Sequence, residues 1–115
     1  MAYFLYQWTY NDLAIKAVQA DPHDRSAELR KAVEAFDGKL HQFFYAFGAY
    51  DGIAIVEFPN NESCAACAIA LGAAGATSAL NTTVLLAAEE GYHAMRKANA
   101  TTTGYKSAMG YASHG

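Results

Sequence analysis

A chain of 115 residues has room for one folded domain, which buries about two-thirds of the surface exposed by its unfolded chain. Hydrophobic residues make up 53% and charged residues 17%, which excludes wholesale disorder. The formal charge of -3 and only eight Lys plus Arg leave no basic field for phosphate backbones or anionic lipid, so neither nucleic acid nor a membrane is an expected partner. The most apolar stretch, Cys64 to Leu86, is interrupted by Gly72, Gly75, Ser78, Asn81 and Thr82, short of the about 18 unbroken apolar residues a spanning helix needs. Met1 to Trp8 lacks the basic start and small-residue cleavage site of a secretory signal, and the two cysteines suit a reducing compartment. A cytoplasmic protein is expected.

Tyr3 to Trp8 is short and rich in aromatics, and the polar group Thr9-Tyr10-Asn11-Asp12 follows it, which predicts a first strand. A short helix is expected over Asp12 to Ala20. A longer one should begin at Asp21-Pro22-His23-Asp24, where an acid caps and proline takes the first helical position. Its apolar residues Leu29, Ala32, Val33 and Phe36 recur at helical spacing, and Gly38 is placed to close it as a left-handed cap. Leu40 to Phe47 and Ile53 to Phe58 read as a β-hairpin joined through Asp51-Gly52. Pro59-Asn60-Asn61-Glu62 then opens a helix of small residues, Ser63 to about Ala74, closed by Gly75. Leu80 to Leu86 is a fourth strand, and Glu89 to Lys97 is a last helix with acids first and bases last, as the helix dipole favours. Leaving aside the short helix, the order is β, α, β, β, α, β, α: an α+β, ferredoxin-like βαββαβ domain over residues 1–99 with an extra C-terminal helix. Residues 100–115, poor in aliphatics, are expected to form a flexible or partner-ordered tail.

Strand alternation puts Phe4, Tyr6, Trp8, His41, Phe43, Tyr45, Phe47, Ala54, Val56 and Phe58 on one face. Tyr3, Leu5, Gln7, Leu40, Gln42, Phe44, Ile53, Ile55 and Glu57 fall on the other. Helices on one side of a single sheet leave the second, largely apolar face to be covered, and a second copy of the chain would cover it. A homodimer or larger ring packed sheet to sheet is expected.

Several residues together resemble a known family: the strand ending in Trp8-Thr9, Asp24-Arg25 before a helix, Gly38-Lys39, Gly48-Ala49-Tyr50-Asp51, and Val56-Glu57-Phe58-Pro59. The chain resembles the GYD domain proteins, small bacterial proteins named for a Gly-Tyr-Asp motif, over about Tyr3 to Lys97. Here Ala49 directly precedes Tyr50-Asp51, and Asp37 stands where a second glycine before Lys39 is usual. The resemblance implies a dimeric α+β barrel, an architecture shared with cofactor-independent monooxygenases, muconolactone-type isomerases, haem-binding proteins and stress proteins. Fold analogy leaves the reaction open.

Tyr50 and Asp51 could place a phenol and a carboxylate at a pocket mouth for proton transfer, against the alternative that Asp51-Gly52 merely shapes a turn. His41 is a candidate base beside Tyr45, against the alternative of a hydrogen-bonded structural histidine. About ten strand positions separate His41 from Asp51, some 30 Å, so they cannot act as one dyad within a chain. Two groupings follow: Trp8, Tyr50 and Asp51 at one end, and Phe4, His41 and Tyr6 at the other. Trp8, Tyr6, Tyr45 and Phe43 are the candidate ligand-binding residues, suited to an apolar or aromatic carbonyl compound. Cys64-Ala65-Ala66-Cys67 has redox spacing at a helix N-terminus, which would lower a thiol's pKa; the alternative is close packing of small residues. There is no phosphate loop and no H-E-x-x-H, and neither a cofactor nor a metal is expected. The alternatives are haem or metal binding through His41 or His93, and structural self-assembly without catalysis.

Overall fold

The computed structural model describes residues 1–109, so residues 110–115, with His114 and the end of the expected tail, lie outside the described residues. The chain runs β1 (Ala2–Tyr10), α1 (Asp12–Ala20), α2 (Ser26–Ala35), β2 (Lys39–Tyr45), β3 (Gly52–Phe58), α3 (Asn61–Ala73), β4 (Thr77–Leu85) and α4 (Ala88–Ala100). The four strands form one sheet in the order β2-β3-β1-β4 with antiparallel neighbours, the ferredoxin-like βαββαβ arrangement with two added helices, the short α1 before α2 and α4 at the end. Among the described residues no helix is long and apolar enough to cross a membrane.

Helices α1, α2 and α3 begin where side chains can satisfy their first N–H groups. The side chain of Asn11 accepts from Ala14 N to cap α1, and that of Asn60 accepts from Ser63 N to cap α3. Helix α2 differs from expectation: it starts at Ser26, and Pro22 stays in the preceding loop. Its start is set by the Asp24 carboxylate, which accepts from Ser26 N at 2.8 Å. The end of α2 differs too. Asp37, not Gly38, takes the left-handed conformation (φ 63°). Gly38 is required for closeness, since a Cβ there would meet the Phe58 ring and Glu57 O at 2.6–2.7 Å.

One side of the sheet carries the core. Phe4, Tyr6 and Trp8 of β1 and Ala54, Val56 and Phe58 of β3 pack against Leu29 and Val33 of α2 and Cys64 and Cys67 of α3. The Tyr6 hydroxyl donates to Cys64 O at 2.8 Å, so the most deeply buried phenol is satisfied by the first turn of α3.

Strand β2 overturns part of the expected face assignment. A bulge between Leu40 and Gln42 lets two residues of β2 face one of β3, which turns Leu40 into the core at 5% exposure. The same bulge carries His41 to the opposite face, where its ring lies 5.4 Å from that of Tyr3. Phe43 and Tyr45 keep the expected side, in register with Ala54 and Gly52.

Among the described residues no helix is packed over the second face, formed by Tyr3, Leu5, Gln7, Ile53, Ile55 and Glu57 with Gln42 and Phe44 of β2. Tyr3 and Phe44 are exposed there. Helix α4 buries none of its residues and, among the described residues, packs closely against no other element.

Candidate functional site

The sheet divides the chemistry-bearing residues into a helix side and an open side. On the helix side, where β1 ends, a cavity of about 210 Å³ opens between the sheet, α2 and α3. Trp8 and Phe43 form its floor, their rings 5.5 Å apart, and Leu29, Leu71 and Leu80 its walls. Arg25 and Glu28 supply the charge at its edge. A second cavity of about 190 Å³ lies beneath α1 and shares Tyr10, Arg25 and Ala76 with the first.

Two of the four residues expected to bind a ligand, Trp8 and Phe43, line the first cavity. Tyr45 stands beside them: its ring meets Phe43 edge-on at 5.0 Å, and its hydroxyl accepts from the backbone N–H of Arg25 at 2.8 Å. Tyr6 is sealed in the core at 0% exposure, its hydroxyl pushed well above the ordinary phenol pKa first by burial and then by its contact with Cys64.

The loop between β2 and β3 separates Tyr50 from Asp51. The Asp51 carboxylate accepts from the backbone N–H of Tyr10 at 2.9 Å, and its own N–H donates to Trp8 O at 2.8 Å. Asp51 thereby pins the end of β1 where the pairing with β4 shifts register, and holds Tyr10, which walls both cavities. Tyr50 turns to the other side of the sheet, where its hydroxyl is hydrogen-bonded to the Asn81 amide. Trp8 and Asp51 meet at one end of β1 as expected, while Tyr50 faces away from the cavity. The second grouping is also split: Phe4 and Tyr6 are in the core, and His41 is on the open face.

There His41 is not alone. Its Nε2 lies 2.8 Å from Glu57 Oε1, with 28% of the His41 side chain and 15% of the Glu57 side chain exposed. A carboxylate that orients an imidazole is an arrangement suited to proton transfer. Glu57 escaped the sequence reading because the bulge that delivers His41 to it is set by strand pairing. Arg25 and Tyr10 escaped it because the cavity exists only once α1 and α2 are docked.

The cysteine pair is inert in this setting. Cys64 and Cys67 are both buried and free, and burial pushes both thiols above their ordinary pKa, contrary to the lowering expected at a helix N-terminus. His93, on α4, lies 3.6 Å from Glu89 and is exposed. Among the described residues no three His, Cys, Asp or Glu side chains gather closely enough to hold a metal ion.

The GYD domain model matches residues 4–95, most of the chain and all of the elements around both cavities. The chain belongs to the GYD domain family. In this GYD domain the loop tyrosine and aspartate are Tyr50 and Asp51, the two residues divided between the faces. The crystal structure of MtbAldR superposes with a TM-score of 0.53 at 15% identity, covering 75% of this chain, and at that identity the likeness speaks for the fold alone. The GYD chain spans about half, 52%, of that protein. No curated protein matches its sequence.

Proposed function

We propose that this GYD domain protein is a homo-oligomeric, cytoplasmic small-molecule-binding protein or cofactor-independent enzyme that takes an apolar or aromatic carbonyl compound. The cavity of about 210 Å³ over Trp8 and Phe43 carries this reading. Its walls are apolar, its polar groups stand at the edge, and it is smaller than the roughly 300 Å³ at which drug-sized pockets begin, which suits a single ring or a short chain. Self-association is supported by the uncovered second face, where Tyr3, Leu5, Ile53, Ile55 and Phe44 would otherwise meet water.

Benzaldehyde is a suitable probe, and Trp8, the single tryptophan, reports on it. Its indole N–H resonance should shift saturably in a ¹H–¹⁵N NMR titration. Ala76→Leu, which adds bulk where the two cavities meet, should weaken binding by about tenfold, equivalent to about 1.4 kcal/mol, with the melting temperature held within a few degrees. An unmoved indole resonance, or binding undiminished by Ala76→Leu, contradicts the cavity's role.

The His41–Glu57 pair favours a second reading, in which proton transfer takes place at the sheet face once a second copy covers it. Turnover located there is lost in Glu57→Gln while binding at Trp8 persists. Turnover unaffected by Glu57→Gln removes the pair from the chemistry.

A further inference from the structure

The two helix-side cavities differ in charge, and that difference points to an anionic ligand. The first includes the Glu28 carboxylate, which is held below its ordinary pKa chiefly by Lys31 Nζ at 3.0 Å and therefore stays charged. The second has no acid in its lining: around Tyr10 and Ala76 are Ala14, Ala17 and Val18 of α1, with His23 and Arg25 as its nitrogen-bearing side chains.

Arg25 is held ready for a partner. Its Nη1 donates to His23 Nε2 at 3.1 Å, and His23 Nδ1 lies 2.7 Å from Asp21 O, so an imidazole protonated on Nδ1 donates to the carbonyl and accepts from the guanidinium. Among the described residues no carboxylate lies within ion-pair distance of Arg25. A guanidinium with open donors, shared by two adjoining apolar cavities, is suited to a carboxylate by its forked geometry.

We infer that the two cavities form one site for an amphipathic carboxylate, its head on Arg25 beneath α1 and its apolar part over Trp8, Phe43, Leu71 and Leu80. This rests on the small-molecule reading of the first cavity and adds the charge of the ligand. Helix α1 suits a roof that admits such a molecule, because it buries none of its own residues and presents only small side chains to the second cavity.

The test compares octanoate with 1-octanol, equal in chain length and opposite in charge, by Trp8 fluorescence on the full chain at pH 7.5. Octanoate should bind about tenfold more tightly than the alcohol, and 0.5 M NaCl should narrow the gap. Arg25→Gln should abolish the preference, since it keeps the backbone N–H that Tyr45 accepts and removes the guanidinium, with its charge and its bond to His23. Arg30→Gln, an equal charge change at an exposed position of α2 outside both linings, should preserve it. Equal binding of acid and alcohol, or a preference that survives Arg25→Gln, overturns the carboxylate site and leaves the apolar cavity standing. Failure of both probes to alter Trp8 overturns the cavity reading and this inference with it. The salt response of the unaltered protein reads the charge even if Arg25→Gln does not fold.

Discussion

Trp8 lies against Gly52 so closely that a Cβ there would meet the indole at 2.2–2.7 Å. Gly52→Ala should therefore displace the ring, costing about 1–3 kcal/mol as an overpacked core does and shifting Trp8 emission. Urea unfolding followed through that emission checks both effects, and an unchanged midpoint would mean the ring moves freely. Tyr6, Cys64 and Cys67 carry a second expectation. Each is neutral when protonated, and folding raises its pKa, chiefly by burial. The folded state thus holds protons that the unfolded chain releases above the ordinary thiol value of 9.0. This stability is fully present below about pH 9 and falls as pH rises beyond it. Urea midpoints from pH 7 to 10.5 under reducing conditions should show that fall, shallower in the Cys64→Ala, Cys67→Ala double variant; equal slopes would deny the thiols a part.

At the scale of elements, β1 and β3 were legible because every second residue enters the core, and α3 because Pro59-Asn60 opens it; Asn11 caps α1 in the same way. Strand β4 begins at Thr77, three residues before its first large aliphatic, Leu80, because pairing with β1 recruits Thr77 to Ala79 despite their small side chains. The β2 bulge left no trace in local composition. Its register depends on β3, so Leu40 and His41 were placed on the wrong faces, and the His41–Glu57 pair went unseen. The expected ligand residues Trp8 and Phe43 were legible as an aromatic pair on one face, whereas Arg25 enters the site only through the docking of α2. Helix α4 is a different case: it forms as expected but buries nothing, and Tyr92 and Met95, three residues apart on one face, remain exposed. Ending the chain after Ala87 should leave the far-ultraviolet signature of the sheet intact and weaken self-association. Sedimentation velocity checks this, and an unchanged assembly would mean α4 has no part in it.

For the whole molecule, a single sheet separates two tasks. The helix side holds the core and both cavities, and the open side presents aliphatic and aromatic residues with the His41–Glu57 pair and Gln7 among them. In that account the open face is buried between copies while each copy keeps its own cavity, so assembly and ligand binding are separable. Native mass spectrometry of the unmodified chain tests this most directly. The account predicts a dimer or higher multiple of 12.3 kDa at micromolar concentration, dispersed by Ile55→Glu on the open face, whose monomer still binds octanoate. A unaltered chain that is monomeric at that concentration, or an Ile55→Glu variant still assembled, would contradict it.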